Sequence, residues 1–415
     1  MMKRTLSGVE RMMYLLSERT STNGFVSARV RGPLDDAKLR LALDRLPRKH
    51  PLLSARVIRE QGALAFTTEA VPPIPLRILS DDGSGRSFLE AAAAEVVAPL
   101  ARSTGPLTRF TLVRHPDGTR ADLMITVDHT IADGTACLYA IRDLLAFHES
   151  PDMAIDPAPL SPPVTQLVPA PLLDPAPPPA PPPSADLPAM PMPFASSDVV
   201  LTTAELPREP MRALARRCRE RGVTVHAAVC AAFAAAGAAR SEDQTQVIIS
   251  NPVSYRHRLD PGLRDTVSCA VAFADLHVDL SPPGSFWEQA HAVRQQLQEW
   301  TTDQKLFGPS SAIEALSQAE RDDARFLDRV RRDMKSYDLS ISNLGRLPIP
   351  SHQGDLTIET VHGAACVPGE IVVVLGALDE TMYVTLATSG LPGAANDRAR
   401  QMVASALSRL RMLPA

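Results

Sequence analysis

Seventeen of the chain's 38 prolines fall between Pro151 and Pro193. Proline has no backbone donor and a fixed φ. Runs such as Pro177-Pro178-Pro179 and Pro181-Pro182-Pro183 therefore favour extended polyproline II and exclude an ordinary helix or interior strand. The stretch divides the 415 residues into an N-terminal half (1–150), a proline-rich linker (151–196) and a C-terminal half (197–415). A stiff connector is the natural reading, and a proline-rich ligand for a partner domain is the rival one. Each half is long enough to bury a core of its own.

Both halves interleave strand and helix patterns, which predicts an α/β fold in two comparable parts. In the first, strands are expected over 25–30, 52–58, 107–113 and 123–127. Helices are expected from Asp35 to about Arg45, over 87–97 and over 133–147. In the second, strands are expected over 199–204, 247–253, 269–274, 339–342, 356–361, 371–374 and 382–386. The helices there are 211–221, 224–238, about 286–300 and about 398–410. The alanine-rich run Ala227–Ala239 is too short for the roughly 20 residues of a membrane span and reads as a buried helix.

Charge excludes several function classes. Lys plus Arg number 43 against 47 Asp plus Glu, a net charge of −4, so no global field draws in nucleic acid. Five cysteines without a CxxC pair argue against a disulfide scaffold and a structural zinc site, and for a reducing, cytoplasmic setting. Lys3, Arg4, Glu10, Arg11, Glu18 and Arg19 leave no apolar core for a signal peptide. No GxxxxGK[ST] or strand-linked GxGxxG is present to cradle phosphate, and no HExxH to hold a metal.

The segment 123–134, LMITVDHTIADG, runs from an apolar strand into a polar turn. His129, at the strand end, is placed to project into a cleft, and histidine can accept a proton near neutral pH. The alternative is a hydrogen-bonded loop histidine. Gly134 is expected to supply backbone freedom that a larger residue lacks. Cys137, four residues past Asp133, reads as core packing rather than a nucleophile, and no GxSxG elbow occurs.

His129-Thr130-Ile131-Ala132-Asp133-Gly134 matches the HxxxDG signature of condensation-type acyltransferases. That superfamily includes chloramphenicol acetyltransferase, plant BAHD acyltransferases, peptide-synthetase condensation domains and bacterial polyketide-associated acyltransferases. Other segments agree in order. Leu6–Met12 resembles the entry motif, and Arg48-Lys49-His50-Pro51-Leu52-Leu53 resembles the "RHPLL" turn. Asn251–Pro261 resembles the strand end followed by R-x-R-L, and Ser340–Arg346 resembles the S-N-x-G segment of stand-alone bacterial members. Two departures stand out. Condensation domains carry HHxxxDG, and here the first position is Asp128; the plant DFGWG motif is replaced by Ser342-Asn343-Leu344-Gly345.

The resemblance implies two chloramphenicol-acetyltransferase-like subdomains with an active-site tunnel between them. His129 would be the general base for direct acyl transfer from a coenzyme A or acyl-carrier-protein (phosphopantetheine) thioester to an alcohol. No bound cofactor or metal is implied. Asp133 would pair with an arginine of the second half, Arg256 first and Arg258 second. Ser342 and Asn343 would line the tunnel or bind the oxyanion, although Asn343-Leu344-Gly345 also suits a simple turn. Amide formation on an amine, or a non-catalytic carrier-protein docking module, are the alternatives. The arginines at 212, 216, 217, 219 and 221 form either a docking surface for an acidic carrier or a solvated face. The implied setting is secondary metabolism or complex-lipid synthesis, by a monomer.

Overall fold

The computed structural model describes residues 2–84, 86–167, 198–236, 244–280, 285–333, 337–367 and 369–413. Its first part runs β1 (Lys3–Thr5), α1 (Gly8–Ser17), β2 (Asn23–Arg31), α2 (Asp36–Lys49), β3 (Arg56–Glu60), β4 (Ala63–Thr67), β5 (Leu76–Ser80), α3 (Ser87–Val97), β6 (Thr108–Arg114), β7 (Arg120–Asp128) and α4 (Gly134–Glu149). The second runs β8 (Val199–Leu206), α5 (Arg208–Glu220), α6 (Val225–Ala235), β9 (Gln246–Ser254), β10 (Val271–Asp279), α7 (Phe286–Glu299), α8 (Asp303–Ala319), α9 (Asp323–Asp333), β11 (Leu339–Arg346), β12 (His352–Gln353), β13 (Leu356–Ala365), β14 (Ile371–Leu378), β15 (Thr381–Ser389) and α10 (Gly393–Met412).

Two six-stranded sheets organise the molecule, in the orders β12-β13-β2-β7-β6-β5 and β10-β9-β11-β14-β15-β8, with a small sheet β1-β4-β3 beside them. Strand β7 is central and covered on both faces. Leu123, Ile125 and Val127 join the core under α2 and α4, whereas Met124 joins Phe88, Ala92 and Val96 of α3. A strand buried on both sides needs a continuous apolar run, which is why this segment does not alternate. Helix α6 is buried along nearly its whole length. Its alanines let it pack closely against α7 and α10, with Phe233 in the core they share with the second sheet.

The second half completes the first half's sheet. Strand β13 pairs antiparallel with β2, from Thr357 opposite Arg31 to Ala365 opposite Gly24. The α8–α9 hairpin likewise reaches back to α1: Arg11 donates to Asp323 at 2.7 and 2.9 Å and to the carbonyls of Ser317 and Glu320. The amide of Gly8 donates to Glu314 at 2.5 Å.

Within the segment expected to be connector, 151–167 packs against the fold. Ala158 donates its amide to the Arg48 carbonyl at 3.0 Å, Ile155 and Leu160 are buried, and Ser161 meets Thr266 and Val267 at 3.3 Å. The proline runs themselves, within 168–197, lie outside the described residues.

Local pattern misplaced a few elements. The expected strand 52–58 begins instead as a 3-10 turn, Pro51–Ser54, because Pro51 presets a helical φ at its first position. The pattern missed α8, which carries Gly308 and Pro309 inside it. Helix α1 was read only as a motif, yet Ser7 and Glu10 form a capping box around its first turn. Among the described residues, no helix is long and apolar enough to cross a membrane.

Candidate active site

His129 leaves the end of β7 in a turn fixed by its neighbour. Asp128 is fully buried, and its carboxylate accepts from Arg102 Nε at 2.8 Å and from the Thr130 amide at 2.9 Å. The residue that replaces the first histidine of HHxxxDG is therefore a buried ion-pair partner that holds the turn. It has no free group to offer a substrate.

The His129 ring is oriented by a local bond. Nδ1 lies 2.9 Å from the Ala132 carbonyl oxygen. A carbonyl can only accept, so Nδ1 carries the proton and Nε2 keeps its lone pair. Nε2 points over β2 at Gly24, where a Cβ would stand 2.9 Å from it. No side chain fits there without displacing the imidazole. Gly24 thus belongs to the site, and sequence reasoning missed it because the signal lies on another strand.

Asp133 faces away from that lone pair. As N-cap of α4 it accepts from the Ala136 amide at 2.8 Å. Arg256 Nη2 donates to both its oxygens at 3.0 Å, and the Ala270 amide adds a bond at 2.8 Å. Arg256 also donates to the carbonyls of Arg264, Thr266 and Ser268. The second candidate, Arg258, instead pairs with Asp303 at 2.8 Å in a partly exposed position. Gly134 corrects an expectation: its φ is not positive, and what a side chain would meet there is the tip of Leu344 of β11, 3.0 Å from a Cβ.

A second tie joins the same loop, 264–270, to the first half. His50, fully buried, donates from Nε2 to Asp143 at 2.9 Å and accepts the Val267 amide on Nδ1 at 3.2 Å. Burial pushes the His50 imidazole down, against the pull of Asp143. Burial alone would raise the Asp143 carboxyl, but bonds from His50, Arg142 and Lys49 outweigh it and hold it below the usual carboxylate range. Arg142 reaches on to Asp265 at 2.9 Å. His50 entered the sequence reading only as part of a turn motif.

These ties enclose a cleft between the halves. His129, Thr130, Arg4 and Glu10 line it from the first half, Tyr255, Ser268 and Cys269 from the second, and Ser161 from the packed strap. Its free space is about 30 Å³, room for about two waters. The described residues show this cleft and not an open tunnel. Cys137 is buried in the core, and burial pushes both its thiol and that of Cys269 well up, so neither offers a thiolate. Ser342 and Asn343 lie on β11, where Asn343 Oδ1 accepts the Gly345 amide at 2.8 Å, as in a turn. On α5, Arg212 is engaged by Glu380 at 2.8 Å. Among the described residues no group of three His, Cys, Asp or Glu is placed to hold a metal.

Residues 195–372 match the family described as the phthiocerol/phthiodiolone dimycocerosyl transferase C-terminus. The fold is shared with the TRI3 trichothecene 15-O-acetyltransferase of Fusarium sporotrichioides (TM-score 0.74, 12% identity, covering 99% of this chain and 95% of that one). It is shared with polyketide synthase associated protein 5 of Mycobacterium tuberculosis (TM-score 0.64, 14% identity, 99% of each chain). The first condensation domain of the calcium-dependent antibiotic synthetase also superposes (TM-score 0.71, 17% identity, 100% of this chain and 97% of that one). No curated protein matches in sequence. Along its whole length the chain thus has the fold of these acyltransferases and condensation domains, and residues 195–372 carry the match to that C-terminal transferase family.

Proposed function

We propose that this acyltransferase moves an acyl group from a coenzyme A or carrier-protein thioester to an alcohol, with His129 as general base. The observation that carries the reading is the orientation of the His129 ring in the cleft. Nδ1 of His129 is committed to the Ala132 carbonyl, which leaves Nε2 to take a proton. The acceptor O–H gives its proton to Nε2 as its oxygen adds to the thioester carbonyl. Collapse of the tetrahedral intermediate expels the thiolate, which recovers the proton from Nε2. A positioned base contributes about 10²–10⁴-fold, and bringing donor and acceptor together beside it would supply much of the rest.

Two further points support the reading. The high cost of a thiolate at Cys137 or Cys269 disfavours a covalent acyl-enzyme. The name of the trichothecene neighbour, an O-acetyltransferase, favours an alcohol over an amine, and ester formation in secondary-metabolite or complex-lipid synthesis is the setting proposed here. One chain supplies both walls of the cleft, so a monomer suffices.

The test is thiol release with product mass. Acyl-coenzyme A and acyl-carrier-protein donors would be run against alcohol and amine acceptors, with His129→Ala beside the wild type. Acceptor-dependent release that falls about 10²-fold or more in the variant is expected. Equal release from both proteins, with folding verified, would remove His129 from the chemistry.

A further inference from the structure

The developing oxyanion needs a donor that is desolvated, fixed and uncommitted. Among the polar side chains lining the His129 cleft, most are already engaged. Ser7 caps α1, Ser161 bonds Thr266 and Val267, Thr130 bonds Asp128, and the Tyr255 hydroxyl donates to the Cys269 carbonyl at 3.2 Å. Ser268 differs. It is 9% exposed, lines the same cleft, and its hydroxyl is buried with no hydrogen-bond partner among the described residues. A buried hydroxyl without a partner costs about 1–3 kcal/mol, which bound substrate would recover.

Its backbone is also tied to His129. The Ser268 carbonyl accepts from Arg256 Nη2 at 2.5 Å, and the amide two residues on, at Ala270, donates to Asp133. Asp133 in turn follows Ala132, whose carbonyl orients the imidazole. One short chain of bonds thus sets base and hydroxyl relative to each other across the two halves.

Resting on the acyl-transfer reading above, we infer that the Ser268 hydroxyl donates to the oxyanion formed at the thioester carbonyl. As the acceptor oxygen bonds to the carbonyl carbon, the π pair moves onto the carbonyl oxygen, and Ser268 Oγ–H meets the charge. When the C–S bond breaks, that pair reforms C=O and Ser268 is left with its own proton. The hydroxyl only donates a hydrogen bond, so no proton is lost from it.

The experiment compares wild type, Ser268→Ala, Ser268→Thr and His129→Ala. Thiol release is followed with acetyl-, octanoyl- and palmitoyl-coenzyme A, with water alone and with the acceptor panel. Oxyanion stabilisation is needed for water as much as for an alcohol, so the readout does not depend on knowing the acceptor. Ser268→Ala is expected to lower kcat about 10²-fold, as loss of one oxyanion donor does, with donor KM within about twofold and Tm equal to or a few degrees above wild type. Ser268→Thr, which keeps the hydroxyl, is expected to recover most of the rate. A Ser268→Ala kcat within about threefold of wild type overturns the inference, as does a KM rise that accounts for the whole loss. If His129→Ala is impaired and Ser268→Ala is not, only this inference fails. If wild type and His129→Ala are alike, the acyl-transfer reading fails and takes this one with it.

Discussion

Arg256 and Asp133, 123 residues apart, meet through one guanidinium nitrogen that lies 3.0 Å from both carboxylate oxygens, with each side chain about 7% exposed. The pair does two things at once. It keeps the Asp133 carboxylate turned from His129 Nε2, and it fastens the 264–270 loop to the N-terminus of α4. Asp133 is therefore a strut, and a Ser-His-Asp style relay is excluded by its commitments.

Breaking that strut from one side leaves a buried charge unpaired, which costs about 3–5 kcal/mol. Arg256→Met and Asp133→Ala should each lower urea-unfolding stability by an amount in that range. The double variant should cost less than the sum of the two. Strict additivity in that double-mutant cycle would show that the two side chains do not interact in solution.

Gly24→Ala separates the imidazole's position from the fold. Alanine raises strand stability slightly or leaves it unchanged, since glycine is the less favourable residue there. Its methyl, however, would enter the 2.9 Å gap beside His129 Nε2. We expect Tm to stay within a few degrees while kcat drops at least about tenfold. Wild-type turnover in this variant would mean the ring has room that the structure does not show.

Acid should destabilise the protein before its carboxylates titrate. Burial pushes His226 and His362 down to about 4, and His50 down as well. Unfolded histidine titrates near 6.5. Between those values the unfolded chain binds more protons, so stability is full above about pH 6.5 and falls as pH drops toward 4, by up to roughly 3 kcal/mol each for His226 and His362. Asp143 adds a further loss only at lower pH, once its carboxyl is protonated. Tm measured at half-unit steps from pH 8 to 4.5 should bend downward below about 6.5, less so in His226→Gln and His362→Gln. A flat profile to pH 5 would contradict the burial of these rings.

The legible parts of the molecule were those built from neighbours in sequence. The apolar run 123–127, the turn and the helix 134–149 are contiguous, so spacing alone placed His129 at a strand end and Asp133 at a helix start. Helix α3 was read with its observed ends for the same reason. Helix α8 escaped because Gly308 and Pro309 interrupt its pattern, while in the fold the segment packs against α1, β10 and α9.

Sequence by itself determined the α/β class, the motif, and the placement of a histidine that can serve as a base. Tertiary structure decided which arginine meets Asp133, that Gly24 makes room for the imidazole, that β13 crosses into the first sheet, that His50 holds the 264–270 loop and that Ser268 of that loop lines the His129 cleft. Each of these joins residues scores or hundreds of positions apart. Local propensity carries no information about such distances; burial and the need to satisfy every buried polar group settle them only when the whole chain has closed.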